Sequence, residues 1–175
     1  AYVRRQRQMC IRDRVNFARE RSIEIRFIEY MDVGSANNWK SSEVFFSERI
    51  INSLKEKYHL SNLGRYKGHT ANRWFMGDSE SYVSTVSSIS NPFCSDCNRL
   101  RITSDGYAYT CLFSSEGKNL NQWLAEPINI LELEKEIKKI WRSRDDKYSE
   151  NRIKILQKDS KKYPKNHPSM AYLGG

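Results

Sequence analysis

Cys94 and Cys97 form a Cys-x-x-Cys pair, and Cys111 follows after thirteen intervening residues. Three thiolates so spaced can hold a metal centre with one coordination position left open, because structural zinc sites take four protein ligands and iron–sulfur clusters normally take four cysteines. Cys10 is too remote in sequence to count as the fourth ligand. No histidine lies between Cys94 and Cys111, and the chain has only His59, His69 and His167 to offer. Arg99 and Arg101 stand beside the second cysteine, so an incomplete metal shell next to two fixed cations suits an anionic ligand that touches the metal. The spacing alone is equally open to a zinc knuckle or an unrelated disulfide. Four cysteines in 175 residues, with no signal-peptide pattern, favour a reducing compartment.

The elements that must position these side chains are legible in outline. Residues 99–103 alternate so that Cys97, Arg99 and Arg101 point one way. Asp105-Gly106 is a strong turn signal, and residues 107–113 return as the second strand of a hairpin. A two-residue turn in perfect register would pair Cys111 with Leu100 and put it on the face opposite Cys97. Joint ligation therefore requires a bulge, a longer loop, or Cys97 in a knuckle before the strand begins. Upstream, residues 15–21 read as the end of a surface helix and residues 23–30 as a strand, with Ile23, Ile25 and Phe27 on one face and Glu24, Arg26, Ile28 and Tyr30 on the other. An arginine in such a strand must find an anion or a carboxylate. Helix followed by strand is what the last part of a βα barrel shows, and ligand groups there gather at the C-terminal strand ends, which is where Met31 stands. The spacing then predicts a helix capped by Ser47 with Ile50, Ile51, Leu54 and Tyr58 inward, a loop over 59–72, two short strands within 73–89, and a helix over 130–141 with Asn129 and Glu132 at capping-box spacing and Ile130, Leu133, Ile137, Ile140 and Trp141 on one packed stripe.

The formal charge is +9, yet it resides at the ends. Residues 1–14 carry net +4, residues 152–167 carry net +5, and the span between them sums to zero. A nucleic-acid-binding domain would spread positive charge over a folded face, so the balance argues against that class. The absence of a long apolar run argues against a membrane span.

Five segments, in order, carry a resemblance. They are Ile25-Arg26-Phe27-Ile28-Glu29-Tyr30-Met31-Asp32-Val33-Gly34, Phe93-Cys94-Ser95-Asp96-Cys97-Asn98-Arg99-Leu100-Arg101, Cys111-Leu112-Phe113-Ser114, Arg144-Asp145-Asp146-Lys147-Tyr148-Ser149, and the terminal Gly174-Gly175. Together they resemble the C-terminal half of the MoaA-type GTP 3',8-cyclases, radical S-adenosylmethionine enzymes of molybdenum cofactor biosynthesis. The resemblance implies an α/β fold: the C-terminal part of an incomplete (βα) TIM-like barrel continuing into an α+β region that carries an iron–sulfur cluster. Residues 15–34 would be the last helix and strand of the barrel, and residues 35–175 the C-terminal domain with the second cluster and the tail. Residues 1–14 match nothing in the family, and Met9-Cys10-Ile11-Arg12-Asp13 resembles a translated sequencing-adapter end, so this segment is expected to be non-native.

By the same resemblance, Cys94, Cys97 and Cys111 would bind a [4Fe–4S] cluster whose fourth iron is open to substrate. Arg99 and Arg101 would bind GTP, Arg26 would point at the triphosphate, and Met31 would contact S-adenosylmethionine through its backbone. Gly174 and Gly175 would enter the active site as a catalytic tail. S-adenosylmethionine and another [4Fe–4S] cluster would belong to a missing N-terminal half with its Cys-x-x-x-Cys-x-x-Cys motif, without which this fragment would be inactive alone. The resemblance further implies a possible homodimer of the full-length enzyme, a downstream pterin synthase acting on its product, no nucleic-acid or membrane partner, and a bacterial cytoplasmic or, in a eukaryote, mitochondrial-matrix location. The alternative from another class is a zinc-knuckle nucleic-acid-binding module using the same cysteines and the basic tail.

Overall fold

A computed structural model describes residues 2–33, 39–77, 79–152 and 168–173, with the backbone alone for residues 2–8. The chain divides into two compact units, residues 1–31 with 40–97 and residues 32–39 with 98–175. The fold is mixed α/β, with one sheet in each unit.

In the first unit, helix α1 spans Tyr2–Arg19 and buries Ile11, Val15 and Ala18, a spacing of four and three that marks one helical face. Strand β1, Ile25–Ile28, turns Ile25 and Phe27 toward the core and leaves Arg26 and Ile28 exposed. The alternation predicted that partition, although the strand is shorter than 23–30. Helix α2, Ser47–Lys55, supplies Ile50, Ile51 and Leu54 to the core, and Tyr58 joins them just past its end. Its N-cap is Phe46, and the cap hydrogen bond comes from a distant acid: the Ser47 N–H donates to Glu29 Oε1 at 2.9 Å. Strands β2, Leu60–Gly64, β3, Asn72–Met76, and β4, Ser81–Val86, complete a sheet ordered β1-β4-β3-β2. β1 runs parallel to β4, and the other pairs are antiparallel. The expected loop over 59–72 therefore contains β2, which lacks apolar alternation because Ser61, Asn62 and Leu63 are all exposed.

In the second unit, β5, Arg101–Ile102, β6, Tyr107–Tyr109, and β7, Lys118–Asn119, form an antiparallel sheet. Helices α3, Asn121–Leu124, and α4, Ile130–Arg142, follow. The core gathers Ala108, Leu120 and Ile140, with Leu100, Trp123, Leu133 and Ile137 against them. Asn129 caps α4 as its spacing predicts, its Oδ1 accepting the Glu132 N–H at 3.3 Å. Ile130, expected on the packed stripe, is exposed. Among the described residues, no helix is long and apolar enough to cross a membrane.

Candidate metal centre

Cys94–Asp96 form a single turn of 3-10 helix in the first unit, closed by the Cys97 N–H donating to the Cys94 carbonyl at 3.3 Å. Cys97 thus sits in a knuckle before any strand begins, one of the arrangements that joint ligation requires. Two groups of contacts hold the segment. Glu29, at the C-terminal end of β1, is 1% exposed. Its carboxylate accepts from the Ile89 and Ser90 N–H groups at 2.9 and 2.8 Å, and from the Ser90 hydroxyl at 2.6 Å. Beside the knuckle, the two Asp96 oxygens accept from Arg65 Nη1 at 2.8 and 2.9 Å, and Oδ2 also accepts the Gly68 N–H at 3.3 Å. The Arg65 hydrogen bond, the largest influence, holds the Asp96 carboxyl below its ordinary range, so it is ionised at neutral pH.

In the second unit, the hairpin that carries Cys111 corrects the two-residue turn. Arg101 pairs with Tyr109 and Ile102 with Ala108. The Thr103 N–H then donates to the Tyr107 carbonyl at 2.9 Å, and the loop is Ser104-Asp105-Gly106. Gly106 takes φ 84°, a backbone conformation that favours glycine, and a Cβ there would displace the Asn121 side-chain amide, whose Oδ1 lies 2.0 Å from that position. One more residue in the loop shifts the register by one, and the ladder ends at Arg101 and Tyr109, two residues short of Cys111. Cys111 is half-buried, and the Phe113 N–H donates to its Sγ at 3.4 Å. The Phe113 ring stacks on Tyr148 at 4.4 Å between centroids, with the Arg152 guanidinium 4.9 Å from its centre. Arg152 is ion-paired at 2.7 Å to Asp32.

None of the four cysteines forms a disulfide. Soft, half-buried thiols on a tight turn and beside an aimed N–H fit a thiolate-bound cluster. Among the described residues, no group of three or more His, Cys, Asp or Glu side chains that could hold a metal ion is found.

The other predicted residues are distributed as follows. Arg99 and Arg101 are half-buried in the second unit, on and just before β5. Met31 is half-buried three residues beyond β1. Arg26 is more than half exposed, and its Nε donates to Glu24 at 3.1 Å, so the carboxylate that a strand arginine requires is a neighbour on its own face. Gly174 and Gly175 lie outside the described residues. Just before them, Leu173 is buried, the Tyr172 hydroxyl donates to Asp105 at 2.8 Å, and the Tyr172 ring meets Tyr109 edge-on at 6.2 Å. Tyr172 is thus docked on the hairpin.

That hydrogen bond pushes the Tyr172 phenol from 10.0 up to about 12. Because the folded value is the higher one, the stabilisation is complete below pH 10.0 and is lost as the pH rises toward about 12. Asp105→Asn should return this phenol toward its ordinary range in a tyrosinate absorbance titration, with Tyr172→Phe identifying the signal. An unchanged titration would show that the tail does not rest on Asp105.

Glu29, Asp32, Arg65, Asp96 and Arg152 carry the site's supports, and sequence reasoning missed all five. The acids at the end of a strand, in Glu29-Tyr30-Met31-Asp32, were an available signal.

The chain is thus a two-sheet α/β protein with a cysteine-bearing turn in one unit and a cysteine-bearing hairpin in the other. Residues 23–150 match the family described as Molybdenum Cofactor Synthesis C, and the chain belongs to that family. It is 45% identical over 158 residues to a protein of Synechococcus sp. (strain CC9605) named GTP 3',8-cyclase, covering 90% of this chain and 43% of the relative. Proteins of the same name from Staphylococcus epidermidis (strain ATCC 12228) and Aquifex aeolicus (strain VF5) are 33% and 36% identical, over 92% and 81% of this chain and 47% and 42% of theirs. The chain spans less than half the length of these curated relatives.

Proposed function

We propose that this chain is the C-terminal part of a GTP 3',8-cyclase, in which Cys94, Cys97 and Cys111 hold a [4Fe–4S] cluster and Arg99 and Arg101 recognise GTP. The observation that carries the reading is the placing of Cys94-x-x-Cys97 on a tight turn inside the residues that match the family. When bound, a cluster with three thiolate ligands supplies an iron open to a nitrogen or oxygen of the substrate. The residues of this chain do the rest. Cys94 and Cys97 arrive on one turn, and Cys111 arrives with a backbone N–H directed at its sulfur. Arg99 and Arg101 offer planar forks suited to phosphate oxygens or a purine edge. Arg26 can turn to a triphosphate only by exchanging Glu24 for it. Met31 would present backbone to S-adenosylmethionine. Gly174 and Gly175, without Cβ atoms, would reach between ligands from the Tyr172 anchor.

In the whole enzyme, a preceding segment would complete a βα barrel ending at β1 and would bring S-adenosylmethionine with another [4Fe–4S] cluster. The reaction would convert GTP to (8S)-3',8-cyclo-7,8-dihydroguanosine 5'-triphosphate for a downstream pterin synthase, in a possible homodimer in the bacterial cytoplasm or the mitochondrial matrix. Residues 1–14 would be foreign to that enzyme.

Anaerobic reconstitution of this chain should load iron and sulfide together, and Cys94→Ser, Cys97→Ser or Cys111→Ser should abolish the loading. Stoichiometric zinc with no sulfide would overturn the reading in favour of a zinc knuckle. In a full-length enzyme with this C-terminal part, Arg99→Ala or Arg101→Ala should weaken GTP binding by about 1.5–3 kcal/mol in calorimetric titration. Unchanged affinity in both variants would remove the arginines from the site.

A further inference from the structure

We propose that Arg65 and Asp96 are a positioning pair that sets the Cys94-x-x-Cys97 turn in its metal-binding shape before any metal arrives. The proposal rests on the reading that these thiols bind the cluster. The turn itself is three residues of 3-10 helix closed by the Cys97 N–H to Cys94 bond at 3.3 Å. Such short turns have poor hydrogen-bond geometry and are stable only when something outside fixes them.

The outside support comes from the loop between β2 and β3. Arg65 Nη1 donates to both Asp96 oxygens, at 2.8 and 2.9 Å, and to the His69 carbonyl at 2.9 Å. The Gly68 N–H donates to Asp96 Oδ2 at 3.3 Å. The Arg65 guanidinium also lies 5.4 Å from the centre of the Phe93 ring, on the residue preceding Cys94. One cation thus ties its own loop, the residue before the knuckle and the residue between the two thiols into one body.

Charge gives the same answer. An isolated carboxylate between two thiols would repel the thiolates that a metal needs. Asp96 is tolerable there because Arg65 neutralises it. An ordinary surface ion pair contributes little and orders nothing. This pair differs in having the backbone N–H of Gly68 and the carbonyl of His69 as fixed third and fourth members, with side chains 30% and 21% exposed. Residues that orient metal ligands commonly change metal affinity about 10–100-fold when lost, and this pair would do so through the backbone of the turn.

All three Arg65 hydrogen bonds pass through one terminal nitrogen, so lysine, a point donor with three hydrogens, can reproduce them. That provides the control. Amide exchange of residues 93–98 and of Gly68 would be followed in the metal-free chain, and iron release to a chelator in the reconstituted chain, for wild type, Arg65→Gln, Asp96→Asn and Arg65→Lys. The first two variants should exchange about tenfold faster at the knuckle and release iron about 10–100-fold faster. Residues 107–113 should be unchanged, and Arg65→Lys should stay close to wild type. Unchanged knuckle exchange would overturn the proposal. So would equal loosening of the knuckle and of 107–113, which would make the pair a general stabiliser. If the wild-type chain takes up no iron and sulfide, the cluster reading fails, while the exchange data still decide whether the pair sets the turn.

Discussion

Arg152→Ala is expected to lower the unfolding free energy of the second unit by about 3–5 kcal/mol. Arg152 and Asp32 have side chains only 2% and 3% exposed, with Nη2 to Oδ1 at 2.7 Å. Nε donates to Oδ2 at 3.2 Å, and the Tyr148 hydroxyl donates to the same oxygen at 3.4 Å. Coulomb attraction and desolvation nearly cancel while both ions are present, but truncating the cation strands a buried carboxylate. The arginine is also packed over the Phe113 and Tyr148 rings, at 4.9 and 5.5 Å from their centres, so alanine leaves a gap as well as a charge. Urea denaturation followed by near-ultraviolet dichroism would measure the loss. A double replacement, Arg152→Met with Asp32→Leu, should recover most of it, because two apolar groups of similar size need no compensation. A single-variant loss below about 1 kcal/mol would place the pair with surface ion pairs instead.

Glu29→Gln should cost the first unit about 3 kcal/mol. The carboxylate takes three backbone N–H groups, from Ser47, Ile89 and Ser90, and the Ser90 hydroxyl, all between 2.6 and 2.9 Å. Bonds to a charged acceptor are worth about 1.5–3 kcal/mol each, though they do not add. The amide of glutamine offers one acceptor oxygen, and its NH₂ faces donors. Burial alone would push the Glu29 pKa up, but the bonds from Ser47, Ser90 and Ile89 outweigh it and hold the group below its ordinary 4.5. A depressed folded value means the stabilisation is fully present above the unfolded value and is lost as the pH falls through the folded one. The stability gap between wild type and Glu29→Gln should therefore be flat from neutral pH to about 5 and shrink below it. A gap independent of pH down to about 3 would show that the carboxylate's charge contributes nothing.

The parts of the fold that sequence reading recovered are those whose signals are local. β1 is visible because Ile25 and Phe27 alternate with Arg26 and Ile28, and α4 because Asn129 and Glu132 mark its start and Leu133, Ile137 and Ile140 its packed face. β2 was not visible, since three of its five residues are exposed and its register comes from β3. Asp105-Gly106 announced a turn but not its length, which depends on the Tyr107 N–H bonding the Thr103 hydroxyl at 3.1 Å. The cysteines and arginines of the candidate site were legible as residue types. Their supports were not, because Arg65 and Asp96 are 31 positions apart and Arg152 and Asp32 are 120 apart.

Parallel pairing of β1 with β4 sets an order of events in time. Every residue from 29 to 80 must be threaded between two strands that meet side by side, and the Glu29 bonds to Ile89 and Ser90 span 60 and 61 positions. Contacts so far apart in the chain form late, after the closure entropy of the intervening loop has been overcome. The knuckle is reached only through residues 87–93, which that late contact anchors. A ribosome must therefore release the whole of β4 and the segment after it before Cys94 and Cys97 acquire a fixed address. The first unit differs in this from a zinc finger, where the metal itself drives folding: here the polypeptide's own long-range contacts position the turn that carries Cys94 and Cys97.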